Sequence, residues 1–240
     1  MSTSTDIHLN TPSLRALALK SIVGTTISGS LLSALLFLSA GRVDWPIAWV
    51  FIPIWLTTKW MYIIIIWKRN PDLLVERTQG HENRKRWDKV IQSIYIVFGF
   101  GTFIVIGLDA GRYNWGRDFP SGLVIASYVV YLALNFLALW ASLANPFHSD
   151  ESRIQSDRGQ YVVSEGPYRY LRHPTYLAVV LTWVVMPLLL ESWWGLLPGL
   201  FAAVMMIFRA AFEDRMLHQE LADYAEYAQK VRYRLVPGIW

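Results

Sequence analysis

The chain has 240 residues, of which 54% are hydrophobic and 17% charged, with a mean hydropathy of +0.30 and a formal net charge of +4. That balance is too apolar for a single water-soluble core, and the absence of cysteine removes disulfides, thiolate metal sites and cysteine nucleophiles together. The basic residues lie beside apolar runs rather than in a domain of their own, which points to a membrane surface and to topology, not to nucleic acid.

In chain order, the polar N-terminal MSTSTDIHLNTPS lacks the basic start, apolar stretch and small-residue cleavage site of a signal peptide, so the first apolar run is expected to be a retained span. Runs at 18–40, 45–67, 90–108, 122–144, 174–190 and 195–212 approach the ~20 residues of a bilayer-crossing helix. Charged, Gly, Pro or Trp residues bound each of them. They predict an all-α polytopic bundle of about six spans, forming one domain over 1–240 with its N-terminal spans in 1–145. The stretch WKRNPDLLVERTQGHENRKRWDK (67–89) is the densest basic loop, and the segments after 145 and 208 are also rich in Arg, whereas 41–44, 109–121 and 191–194 are sparse or mixed. Positive charge then places both termini, loop 68–89 and segment 145–173 in the cytoplasm, a parity that six spans satisfy. FGFG (98–101), inside an apolar span, reads as helix packing through small residues.

The run 174–190 is short, starts at Pro174, contains Pro187 and is joined to the next by only ESWWG (191–195). A tight hairpin is expected, bringing GPYRYLRHPTY (166–176) against FRAAFEDR (208–215). Pro174 suits a first helical turn, so residues 174–177 should offer free backbone donors to an anion. Arg209 and Glu213 are spaced i,i+4 and share one face near the bilayer boundary. From the residues alone these could form a polar pocket, or a plain ion pair with Arg169 and Arg172 as lipid-headgroup anchors and His173 as a helix-start residue. The histidines (His8, His81, His148, His173, His218) show no metal-ligand spacing, and no protein-bound metal is expected. EDRMLHQELADYAEYAQKVRY (213–233) places Leu217, Leu221, Tyr224, Ala228 and Val231 on one stripe, predicting an amphipathic helix on the cytoplasmic face.

RIQSDRGQYVVSEGPYRYLRHPTY (153–176), the hairpin and FRAAFEDRMLHQELADYAEYAQKVRYRLVPGIW (208–240) resemble the isoprenylcysteine carboxyl methyltransferase family, part of a wider group with phospholipid N-methyltransferases. NPDLLVERTQ…RWDKV (70–90) is similar to the first cytoplasmic loop of its prokaryotic-type members. The resemblance implies an S-adenosyl-L-methionine-dependent carboxyl O-methyltransferase without a Rossmann domain, its cofactor-binding catalytic region in 146–240. By matching positions, cofactor contacts would be Gln155, Gln160, Tyr161, Val162, Val163, Gly166, Tyr168, Arg172, His173, Pro174, Thr175, Tyr176 and Glu213. Arg209 would face the methyl acceptor, with Arg209 and Glu213 as the catalytic pair. Gln160 stands where His or Thr is expected, and Asp214 where a second Glu is. The implied acceptor is a lipidic acid, either an isoprenylcysteine-like small molecule or a prenylated peptide, reached from membrane lipid. A bacterial inner membrane or endoplasmic reticulum would house the chain. Phospholipid N-methylation, a sterol-type reductase and a binding-only transporter or scaffold are the alternatives.

Overall fold

The computed structural model describes residues 11–79, 83–116 and 118–240, with residues 11 and 12 described by backbone alone. His8, His81 and residues 80–82 of the basic loop lie outside the described residues. Apolar runs in a bilayer must satisfy every backbone group internally, and helices do this. The helices are α1 (Thr11–Ala40), α2 (Pro46–Arg69), α3 (Pro71–Thr78), α4 (Arg86–Ile106) prolonged by a π-helix (Gly107–Tyr113), α5 (Ser121–Ala144), α6 (Pro174–Leu189), α7 (Leu196–Glu220) and α8 (Tyr224–Lys230). No strand occurs among the described residues. Prolines open α2, α3 and α6, where a missing N–H leaves no bond unmade. Asn70 ends α2 and caps α3, its Oδ1 accepting from Leu73 N at 3.3 Å.

Among the described residues, five helices are long and apolar enough to cross a membrane: Ser13–Ala40, Pro46–Arg69, Arg86–Tyr113, Ser121–Ala144 and Leu196–Glu220. The expected fifth span is the short helix α6, whose 16 residues reach about 24 Å, less than the ~30 Å hydrocarbon core. The expected third span, 90–108, runs further at both ends: α4 starts at Arg86, and the π-helix carries the rod past Asp109 to Tyr113. That carboxylate is fully buried and accepts from Gly116 N (3.1 Å), Ser192 Oγ (2.7 Å) and Trp194 N (3.1 Å), tying the end of α4 to the α6–α7 connection. Tyr113, Trp115, Phe119, Trp193 and Trp194 pack together at this end, the residue types of a membrane interface.

The core lies where these spans meet, around Leu36, Phe51, Phe103, Ile106, Tyr131 and Trp183. Small residues let the backbones close up, as FGFG predicts: a Cβ on Gly99 would sit 3.0 Å from the Trp183 ring, and Phe98 stacks on Phe201 at 5.0 Å. Outward faces carry exposed Leu31, Val97, Val129 and Phe136, suited to lipid. The predicted 213–233 helix is instead divided. A turn with Asp223 at φ 62° separates α7 from the seven-residue α8. Its stripe turns inward: Leu217, Leu221, Tyr224, Ala228 and Val231 cluster with Tyr227 and Val162. Helical periodicity marks an apolar face but not its partner, and here the partner is the 161–163 segment rather than lipid.

Candidate active site

The antiparallel packing of α6 and α7 brings the start of one helix against the last turns of the other, as the hairpin predicts. The Tyr176 hydroxyl donates to Glu213 Oε2 at 2.7 Å, and Ser152 Oγ donates to the same oxygen at 2.7 Å. Arg209 does not pair with Glu213. Its Nε donates to Asp88 Oδ1 at 2.6 Å, its Nη2 donates to the Asp150 carbonyl at 2.5 Å, and its guanidinium lies 5.6 Å from the centre of the Tyr176 ring. Among the described residues, Nη1 makes no hydrogen bond. The plain ion pair is thereby replaced by two charges with separate anchors, one helical turn apart.

Asp88, in the first turn of α4, is fully buried. It also accepts from Arg84 Nε (2.6 Å) and Ser152 N (3.3 Å), and Ser152 Oγ stands 3.2 Å from its Oδ1. Sequence reasoning missed it. The one available signal was an acid among the basic residues of RKRWDK, spaced i,i+4 from Arg84.

One wall is a knot around Asp214, which accepts from Arg172 Nε (2.8 Å), Arg234 Nε (2.8 Å) and the Tyr224 hydroxyl (2.9 Å), with His173 Nε2 at 3.2 Å. Burial, with Asp214 beside it, pushes the Tyr224 phenol up, so it remains a donor. Arg172 Nη1 donates to the carbonyls of Val231 (2.9 Å) and Arg232 (3.0 Å). Arg172 is therefore buried framework, not a headgroup anchor; Arg169 is exposed. On the opposite side Gln155 N donates to Gln160 Oε1 (2.7 Å) and Gln155 Nε2 to the Phe147 carbonyl (2.7 Å), which closes the 147–160 loop.

Between these walls lies a cleft of about 1120 Å³, part of it open solvent. Of the residues expected at the site, Gln155, Gln160, Tyr161, Val162, Val163, Tyr168, Arg172, His173, Thr175, Tyr176, Arg209 and Glu213 line it. Gly166 and Pro174 do not. Gly166, at φ +57°, lets its turn touch α5, where a Cβ would sit 2.9 Å from that of Ala144. Pro174 is buried in the first turn of α6. Arg77, His148, Asp150 and Ser152 also line the cleft, unforeseen from sequence. Burial pushes the Tyr168 phenol up to about 12. Burial, reinforced by the Arg77 guanidinium, pushes His148 down to about 3. His148 is neutral, with Nδ1 2.8 Å from Ser142 Oγ and 3.4 Å from Arg77 Nη1. Among the described residues no group of three or more His, Asp or Glu is arranged to hold a metal.

Residues 121–223 match the phospholipid methyltransferase family. This is the wider group that the motifs resemble. An uncharacterized protein of Bacillus subtilis (strain 168), YpbQ, is 28% identical over 101 residues, 42% of this chain and 60% of that protein. The match therefore spans less than two thirds of that relative. The family-matched stretch contains the whole 155–213 candidate set, while Asp88 and the Arg234 end of the knot lie outside it.

The donor set suits S-adenosylmethionine. Leu177 N is the first amide of α6 to bond within the helix, to the His173 carbonyl, so the amides of Thr175 and Tyr176 lie in the turn whose donors have no intrahelical partner. Such a helix start suits a carboxylate. Glu213 offers an acceptor for hydroxyl or ammonium groups, and Val162, Val163 and Leu217 offer apolar surface for a purine.

Proposed function

We propose that the chain is an integral membrane S-adenosylmethionine-dependent methyltransferase that esterifies the carboxylate of a lipidic, isoprenylcysteine-like acceptor. The observation that carries this is the separate anchoring of Arg209 and Glu213 in one cleft at the end of two apolar helices. A cation and an anion that do not neutralise each other can serve two ligands. The cofactor would supply a methyl group on a sulfonium. Glu213, the α6 amides and the 162–163 segment would bind it, while Arg209 Nη1 would orient the acceptor.

No general base is required, because a carboxylate is already nucleophilic; proximity and alignment supply the rate. Charge disappears as sulfonium and carboxylate become thioether and ester, so the cleft's work is to exclude water that would stabilise the reactants. Asp88 and the Asp150 carbonyl share the charge of Arg209, which keeps it from holding the acceptor too tightly. An amine acceptor would have to lose a proton first. Tyr168 stays protonated in the cleft, and Arg209 brings only donors, which favours the acid.

The family match also accommodates phospholipid N-methylation, and the test separates the two. Purified protein given labelled S-adenosylmethionine should place a base-labile methyl ester on a farnesylated or geranylgeranylated cysteine analogue, and ignore the same head group without its lipid. Base-stable label in phosphatidylethanolamine alone would move the activity to the amine. S-adenosylhomocysteine should raise the melting temperature in detergent; a rise with NADPH instead would indicate a reductase, and a rise with neither a binding scaffold.

A further inference from the structure

Ser152 is 2% exposed and sits between the two charged anchors of the cleft. Its Oγ is 2.7 Å from Glu213 Oε2 and 3.2 Å from Asp88 Oδ1. A hydroxyl has one proton, so it can donate to only one of these carboxylates at a time. Glu213, proposed to bind the cofactor, already receives the Tyr176 hydroxyl at 2.7 Å. Asp88, fully buried, holds Arg209, the residue proposed to orient the acceptor, at 2.6 Å.

We propose that Ser152 is a positioning residue that couples the two ligands of the proposed methyl transfer by moving its proton between Glu213 and Asp88. With the cleft empty, the shorter distance places the proton on Glu213. Donor groups of the cofactor at Glu213 draw off its negative charge and make Asp88 the stronger acceptor. The hydroxyl then turns to Asp88, whose hold on Arg209 loosens, and Nη1 becomes a better partner for the acceptor's carboxylate. Cofactor binding thus tightens acceptor binding. By linkage the acceptor tightens cofactor binding by the same factor.

This rests on the proposed methyltransferase activity. The test measures the affinity of the full-length protein in detergent for S-adenosylhomocysteine, alone and with saturating N-acetyl-S-farnesylcysteine or dodecanoate. S-adenosylhomocysteine lacks the sulfonium, so direct attraction between the two ligands does not produce the effect. The wild type should bind S-adenosylhomocysteine roughly 5-fold or more tightly when an acid is present, the lower end of common coupling factors. Ser152→Ala should bring that factor near 1, while S-adenosylhomocysteine alone still binds through Tyr176-supported Glu213. Ser152→Cys keeps the volume but donates weakly, and should lose most of the factor; Ser152→Thr keeps the hydroxyl and should retain it. A merely structural role would weaken both ligands without changing their ratio. A wild type that does not bind S-adenosylhomocysteine overturns the activity and this inference together. Binding without coupling to either acid, or coupling that persists in the Ala and Cys variants, overturns the inference alone.

Discussion

At the scale of single residues, Arg209 and Glu213 separate by their partners. Glu213→Gln removes a charged acceptor and should weaken S-adenosylhomocysteine binding by about 1.5–3 kcal/mol. Arg209→Ala should leave that binding nearly intact and abolish methyl transfer; calorimetric titration and a turnover assay on both variants check this, and equal loss of cofactor binding would contradict it. His148 gives a pH signature. Its ordinary value of 6.5 falls to about 3 in the folded protein, because burial disfavours the charged ring. Between those values the unfolded chain binds a proton that the folded chain does not. Stability is thus complete above about pH 6.5 and falls as pH drops toward 3. Melting in detergent across that window should show the slope, and His148→Gln should flatten it. The low value was not legible in the sequence, because its main cause is burial, which packing decides, and Arg77, which adds to it, is 71 positions away in the chain.

Among the helices, the α6–α7 hairpin sets the site, and close backbone approach sets the hairpin. A Cβ on Gly199 would lie 2.6 Å from the Trp183 carbonyl oxygen, a backbone atom that cannot swing aside. Gly199→Ala should therefore destabilise the protein by about 1–3 kcal/mol, as overpacking does. Gly24→Ala is the control. Nothing lies within 4 Å of a Cβ there, and it should be neutral or slightly stabilising. Thermal melting of the two variants in detergent distinguishes the sites. The existence of the hairpin was readable from Pro174 and the short ESWWG connection. The length of α4 was not, since its π-helical extension depends on donors to Asp109 from Gly116, Ser192 and Trp194.

For the whole molecule, alternating helices put the 70–79, 83–85 and 145–173 segments at one end, and the 41–45, 114–116, 118–120 and 190–195 segments at the other. Charge asymmetry predicts which end faces the cytoplasm. The chain has no cysteine, so single-cysteine variants report cleanly. Gln79→Cys and Glu165→Cys should be labelled by an impermeant reagent from the cytoplasmic side, and Asp44→Cys from the opposite side. Labelling of Gln79→Cys and Asp44→Cys from the same side would refute the topology.

The six apolar helices, most of their limits and the hairpin were legible in the sequence by itself, and the 155–213 candidates through the resemblance of its motifs to a family. Apolar runs have one solution in a bilayer, and prolines and small residues mark its ends and contacts locally. The tertiary structure alone decided who holds whom. Arg209 and Glu213 look like a pair at i,i+4, yet Arg209 goes to Asp88, 121 positions away, and Glu213 to Tyr176 and Ser152. Asp214 likewise draws Arg172, Arg234 and Tyr224 into one buried knot. A buried charge must find its counter-charges and donors wherever packing puts them, and spacing along the chain carries no record of that choice.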